Sequence, residues 1–218
     1  MKRSLTQTAA NNKCFRDTIS ETVSNFLLKY NLASVLKAAN AYKQKGMPVV
    51  EIFHYLCLLV FTHRSMYMDL LSGKSSATFA KDTVYRFMSS HHINWLRFTT
   101  LLSAKIIKKT LDPLSSEKRV DVLIIADSVY GRNRSKKAKL LSKIFDHANK
   151  RYLWGFRMLT LGWSDGTSFV PVNSVLMSSE NPKNRHNDNI ALDKRTSGDR
   201  QRERAMRKAT ETMLELIK

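Results

Sequence analysis

The chain contains few cysteines, prolines and glycines, the residues that cross-link or turn the backbone of small proteins. Its 218 residues include two cysteines, four prolines and seven glycines. Cys14 and Cys57 form neither a disulfide framework nor a metal-binding pattern, which excludes a disulfide-rich secreted scaffold and a cysteine-based zinc module. Polar residues follow the basic start of the chain, so no signal peptide is predicted and a reducing cytoplasm is the expected location.

A long hydrophobic run is also missing. The most apolar stretch, Val49 to Phe61, contains Glu51 and His54 and is shorter than the roughly 20 residues that a membrane-spanning helix needs. The sequence therefore predicts no membrane partner. A hydrophobic fraction of 43% still supports a globular protein with a substantial core.

Acidic residues are scarce relative to basic ones. The chain has 18 Asp and Glu against 37 Lys and Arg, which gives a formal net charge of +19. The basic residues are spread along the chain and are not confined to a tail, so they favour a folded protein that binds a polyanion such as nucleic acid. A solvated basic surface without a partner is the alternative.

The first half of the chain has helical periodicity. Pro48 is suited to the first position of a helix that extends to about Thr62 and is apolar nearly all round, so it should be central to the core. Leu111 to Arg119 has the composition of a linker. We therefore predict an all-helical domain over residues 1–118 and a second domain over residues 119–218.

Within the helical half, Ser72 to Ser90 resembles a helix-turn-helix element. Asp82 is predicted to be the N-cap of its second helix. Lys81, Thr83 and Arg86 lie on the exposed side of this helix and are the predicted DNA-binding residues. A helix hairpin with a few solvated charges explains the same pattern, and both interpretations stay open.

The second half predicts a fold of the α+β class. Three segments are predicted strands: Val120 to Ser128, Arg151 to Trp163 and Thr167 to Met177. The nearly continuous apolar residues of the first strand predict that both of its faces are covered. The segment from Lys136 to Phe145 has helical spacing or is a loop with one helical turn, and an amphipathic helix begins near Asp199. Asp165-Gly166 predicts a hairpin turn, and Pro171 predicts an edge strand or a bulge.

The first predicted strand delivers a carboxylate, Asp127, to its end. Ser128 follows directly, and four cations come within the next few positions: Arg132, Arg134, Lys136 and Lys137. A carboxylate can hold a divalent metal and the cations can hold phosphates, which is what phosphodiester chemistry needs. Asp127 could equally be a turn residue that ends its strand.

A longer stretch around Asp127 resembles a known family. The segment LIIADSVYGRNRSKKAKLLSKIFDHANKRYLWGFRMLTLGWSDG is similar to the start of the catalytic domain of DDE transposases of bacterial insertion sequences, in the IS-four superfamily. The segments KDTVYRFMSSHHINWLRF and DKRTSGDRQRERAMRKATE resemble other parts of the same proteins. The resemblance extends from about Met47 to the end of the sequence.

The resemblance implies a ribonuclease-H-like fold with three leading antiparallel strands, followed by a loop and a helix. It implies cut-and-paste DNA transposition, in which two aspartates and a glutamate bind two magnesium ions. By match, Asp127 is the first of these catalytic, metal-binding acids. The implied partner is double-stranded DNA at transposon ends, with a homodimer also allowed, in a bacterial cytoplasm near the nucleoid.

Two departures from the family pattern concern the acids. Ala126 stands where many relatives carry an acid. Asp165, Asp188 and Asp193 are not on a predicted strand where the second aspartate belongs, and no match for the glutamate is found. We therefore expect an N-terminal fragment that is inactive by itself.

The sequence has two alternative interpretations besides a transposase. A non-catalytic DNA-binding protein that occupies transposon ends remains open. An RNA-binding protein is disfavoured, because the sequence has no aromatic RNA-recognition motif and no GXXG clamp.

Overall fold

The structure, a computed structural model, describes residues 5–71, 79–114, 119–187 and 190–217. The chain divides into two compact units, Met1–Ser90 and His91–Lys218. The described residues combine helices with one antiparallel sheet, which confirms the predicted α+β class. No helix in these ranges is long and apolar enough to cross a membrane.

The described part of the first unit consists of helices. They are α1 (Leu5–Lys29), α2 (Leu32–Ala38), α3 (Val49–Phe61), α4 (Met66–Leu71) and α5 (Lys81–Met88). Pro48 is the N-cap of α3, so the predicted start of this helix is correct within one residue. The core forms where Leu32, Leu36 and Ile52 become almost completely buried.

A buried carboxylate connects three of these helices. Asp69 of α4 accepts a hydrogen bond from the Tyr55 hydroxyl of α3 at 3.1 Å. Its other oxygen lies 3.3 Å from an Arg64 guanidinium nitrogen and 3.7 Å from one of Arg16 in α1. Because the Asp69 side chain is only 8% exposed, these partners offset the cost of burying its charge.

The second unit contains the sheet. Its elements are α6 (Trp95–Ile106) with a π-helical extension (Ile107–Leu111) and a 3-10 turn (Asp112–Leu114), strands β1 (Val122–Gly131), β2 (Ser142–Asp146), β3 (Arg151–Ser164) and β4 (Phe169–Met177), a 3-10 turn (Pro182–Asn184), and helices α7 (Ser197–Ala205) and α8 (Ala209–Ile217). The Ser103 hydroxyl of α6 donates to the Pro171 carbonyl of β4 at 2.9 Å. Helix α6 therefore packs with the sheet, and the two units divide earlier in the chain than the linker at residues 111–119 suggests.

Strand β3 is the centre of the sheet. Strand β1 pairs along one of its edges, and β2 and β4 pair one after the other along the opposite edge. All pairings are antiparallel, as predicted for the last two strands. The ladder between β3 and β4 shifts register at Leu161/Gly162, beside Pro171, which confirms the predicted bulge.

Two predictions about the strands are wrong. The described chain has four strands rather than three, because β2 forms within the segment that was expected to be a helical turn or a loop. The residues of β2 alternate between buried Ser142 and Ile144 and exposed Lys143 and Phe145, which is the period of a strand. Strand β1 is not covered on both faces either, since Leu123 is 53% exposed; among the described residues β1 pairs with β3 alone.

The helix predicted from about Asp199 is divided in two. Thr196 caps α7, accepting a hydrogen bond from the Asp199 backbone N–H at 3.3 Å. The chain then turns after Ala205, whose carbonyl accepts a hydrogen bond from the Ser178 backbone N–H at 2.7 Å. This break lets Met213 of α8 and its neighbours pack against the buried face of the sheet. The sheet residues in this cluster are Leu159, Val175 and Met177, and the helical ones are Leu96, Ala209, Met213 and Leu216.

The hairpin between β3 and β4 is built around Asp165, as predicted. Its Oδ1 accepts hydrogen bonds from the backbone N–H groups of Ser168 at 2.6 Å and Thr167 at 3.0 Å, and Arg119 donates to Oδ2 at 3.0 Å. These bonds, that of Ser168 first, hold the pKa of the Asp165 carboxyl below its usual value. Gly166 supplies the positive φ that the turn requires, at +86°.

This lowered pKa predicts a loss of stability in acid. The carboxylate stabilises the second unit fully above its unfolded-state pKa of about 4, and the stabilisation is lost as the pH falls through the folded-state pKa. Asp165→Asn should therefore be less stable than the wild type at neutral pH, and the difference in stability between the two proteins should become smaller toward about pH 3. Thermal unfolding across this range measures the difference, and exposed Asp121→Asn is the control. A difference that is constant with pH would contradict the assignment.

Candidate functional site

Asp127 lies in the middle of β1, an edge strand of the sheet among the described residues. It pairs with Leu159 of β3, which in turn pairs with Val175 of β4. Strand β1 continues to Gly131, so Asp127 is inside its strand and the expectation that it ends the strand is wrong. Because paired residues share a face, the Asp127 side chain is on the same face of the sheet as the buried core residue Leu159. Asp127 itself is exposed.

Arg157 is the main partner of Asp127. Its Nε donates to Asp127 Oδ2 at 3.1 Å and lies 3.4 Å from Oδ1, and its Nη2 also bonds Oδ2. The two side chains are 49% and 38% exposed. Arg157 is not indicated by the sequence around Asp127, because it is 30 residues away and only the β1–β3 register brings it near.

The ion pair lines a cleft of about 690 Å³. Ser128, Ser178 and Ser179 also line it, together with the residues of β2. Asp146, the second carboxylate at this cleft, is engaged in its own turn: it accepts hydrogen bonds from the side chain of Asn149 at 2.7 Å and from the backbone N–H of Ala148 at 3.0 Å. The Asn149 side chain is the main cause of its lowered pKa.

The described donors do not fit a divalent-ion site. In residues 5–71, 79–114, 119–187 and 190–217 no three His, Cys, Asp or Glu side chains come together in a group that could hold a metal ion. Asp127 is paired with a guanidinium, and Asp146 accepts three hydrogen bonds from its own turn. The magnesium expected from the resemblance thus has one matched acid, Asp127, and no assembled site among these residues.

A basic segment follows β1 directly. Its four cations are all exposed: Arg132, Arg134, Lys136 and Lys137. The backbone that carries them is anchored at both ends. At the start, the Arg132 N–H donates to the Trp154 carbonyl at 2.7 Å, and Asn133 accepts from the Trp154 N–H at 2.8 Å. At the end, the Asn187 amide donates to the Lys136 carbonyl at 3.0 Å.

The anchoring residues, Asn133 and Asn187, were not foreseen. Each uses a side-chain amide to bond a distant backbone, which local sequence patterns do not indicate. Their effect is to hold a flexible-looking polar stretch in one conformation. The four cations therefore project from a fixed backbone.

The other predicted DNA-binding residues are in the first unit, on α5. Lys81 and Arg86 are exposed there and Thr83 is half-buried, while the opposite side of the helix is buried. The N-cap is Ala80 rather than Asp82, because the helix already begins at Lys81. The turn of the expected helix-turn-helix falls on residues 72–78, outside the described residues.

The site thus combines a carboxylate–arginine pair on β1 and β3 with an anchored basic segment that follows β1. Comparison with known families is more specific: residues 57–218 match the family described as DDE superfamily endonuclease. The match covers most of the chain, so the chain belongs to this family. No curated protein and no solved structure matches it. The family supports the DDE, transposase-type character that the resemblance implied, and a DDE endonuclease family implies a DNA substrate.

Proposed function

We propose that the chain is a DNA transposase of the insertion-sequence type, whose residues from about 119 onward form the start of a ribonuclease-H-like catalytic domain. The observation that carries this is the position of Asp127: it lines a cleft, it is held by the strand that leads into the anchored basic segment, and it is inside the region that matches the family. Asp127 is then the first catalytic acid.

DNA binding is assigned to two surfaces. The basic segment presents Arg132, Arg134, Lys136 and Lys137 to phosphates near the cleft, and α5 presents Lys81, Thr83 and Arg86. The net charge of +19 supports a strong electrostatic contribution. Residues 1–218 carry one matched acid of the expected three, so we propose that they bind duplex DNA and do not cleave it by themselves.

A second candidate is a DNA-binding protein that occupies transposon ends without catalysis. The bond between Arg157 and Asp127 favours it, because the guanidinium pairs with the charge of the acid and binds its Oδ2 atom. Both candidates bind DNA, and they differ in whether Asp127 has a chemical role.

The test combines binding, selection and cleavage with the full 218-residue chain. Fluorescence anisotropy should show duplex binding whose logarithmic affinity falls linearly with the logarithm of salt concentration. Selection from random duplexes should enrich a motif that occurs as an inverted repeat on both sides of the reading frame. Supercoiled plasmid with Mg²⁺ or Mn²⁺ should stay intact.

Each arm can fail separately. Absence of duplex binding at low salt would refute the DNA assignment. Binding without any enriched motif would refute an end-binding protein of either kind. Nicking that disappears in Asp127→Asn would refute the proposal that these residues do not cleave DNA, and would give Asp127 its catalytic role directly.

A further inference from the structure

The face of the sheet opposite Asp127 carries a group of aromatic residues where β1, β2 and β3 meet. Strand alternation places Tyr130, Phe145, Tyr152 and Trp154 on this face, which we call the aromatic face. Tyr152 is 64% exposed and Phe145 is 37% exposed. Phe145 also lines the cleft around Asp127, whereas Tyr130, Tyr152 and Trp154 are not among the residues that line it.

Cations lie over the exposed rings of the aromatic face. The Lys143 ammonium is 5.0 Å from the centre of the Tyr152 ring, and the Arg132 guanidinium carbon is 4.7 Å from the centre of the Tyr130 ring. Phe145 packs against Tyr152 with ring centres 5.1 Å apart. Rings and positive charges are thus interleaved on one surface.

The combination of rings and cations limits which ligands can bind to the aromatic face. An apolar helix or a second sheet would bury Lys143 and Arg132 away from water, and unpaired buried charges are costly. A nucleotide satisfies both components, because its base stacks on a ring while its phosphate accepts the cation. The bases of a duplex present only their edges in the grooves, so stacking on these rings requires unpaired bases.

We propose that the aromatic face binds unpaired nucleotides of single-stranded DNA, with Tyr152 and Phe145 as stacking surfaces and Lys143 and Arg132 as phosphate contacts. This rests on the proposed DNA-binding function and deepens it. The basic segment binds duplex DNA, and the aromatic face binds single strands that have separated from the duplex. Arg132 belongs to both surfaces, which makes the two adjacent.

The experiment compares two probes with the full chain: a labelled oligothymidylate of about 20 nucleotides and a duplex of equal length. Tyr152→Ala should weaken single-strand binding by about tenfold, the effect of losing one stacked base, and leave duplex binding nearly unchanged. Tyr152→Phe, which keeps the ring, should bind like the wild type. Tyr67→Ala removes a similarly exposed tyrosine, 69% exposed, in the first unit and is the matched control.

Tryptophan emission gives a second readout. Oligothymidylate should quench part of the emission, and Trp154→Phe should reduce that quenching more than Trp95→Phe. The proposal is overturned if Tyr152→Ala leaves single-strand affinity unchanged, or lowers single-strand and duplex affinity equally. Tighter, Tyr152-dependent binding of oligouridylate would overturn the assignment to DNA. Failure of duplex binding alone would instead refute the proposed function.

Discussion

Gly155→Ala is expected to destabilise the second unit by about 3 kcal/mol or more, which is the upper end of the cost of overpacking a core. A Cβ at this position would lie 2.3 Å from the Tyr130 carbonyl oxygen and 3.1 Å from the Gly131 Cα. Both are backbone atoms of β1, so they cannot move aside without breaking the ladder. Gly155 also pairs with Ser142 on its other edge, which leaves β3 no room to shift.

Urea denaturation followed by circular dichroism measures this effect, since the midpoint reports stability when the slope is unchanged. Gly131→Ala is the matched control, because its Cβ would meet only the Leu153 Cδ1, at an ordinary 3.8 Å. We expect the control to lose well under about 1 kcal/mol. Equal losses in the two variants would show that β1 and β3 are not paired in this register.

Neutralising the basic segment is expected to have the largest effect on DNA binding. Each phosphate contact releases about 0.9 counterions, so removing four cations should lower the salt slope by up to about 3.6. Between about 50 and 200 mM salt, the wild type should then lose about a hundredfold more affinity than the variant does. The variant replaces Arg132, Arg134, Lys136 and Lys137 with alanine.

The control removes the same charge from other places. It replaces four exposed lysines with alanine: Lys37, Lys43, Lys45 and Lys183. Anisotropy titrations with one duplex at several salt concentrations give both slopes. If the two variants have the same slope, the binding depends on net charge alone and the basic segment is not a specific contact surface.

The parts of the fold that the sequence predicted correctly have strong local signals. Strands β3 and β4 are rich in aromatic and β-branched residues, and Asp165-Gly166 marks the turn between them. Pro48 marks the start of α3 in the same way. Such signals depend on neighbours within a few residues, which a single sequence displays completely.

The parts that were missed depend on pairing between distant segments. Strand β2 is only five residues long, and its alternation is visible only once it pairs with the start of β3. The register between β1 and β3 likewise places Arg157 next to Asp127. The residues around either one do not indicate this pairing. The exposure of β1 was missed because a continuous apolar run is the same whether or not neighbours cover it.

The candidate site shows the same division. The sequence pointed to Asp127 and to the cations after it. In the structure the acid lines a cleft, and the cations are on an anchored backbone that follows the same strand. The anchors Asn133 and Asn187 and the aromatic face could not be foreseen, because each requires three-dimensional neighbours. Residue types were therefore visible in advance, whereas their partners were not.

The exposed strand β1 affects how the protein behaves in concentrated solution. Among the described residues its outer edge has no partner strand, and Leu123 and Ile124 are exposed beside it. Such edges promote self-association, which the net charge of +19 opposes through repulsion between copies. Dissolved salt screens that repulsion. The same ionic strength that releases DNA therefore also lowers the colloidal stability of the free protein. Self-association is weakest at low salt, where the repulsion between copies is least screened.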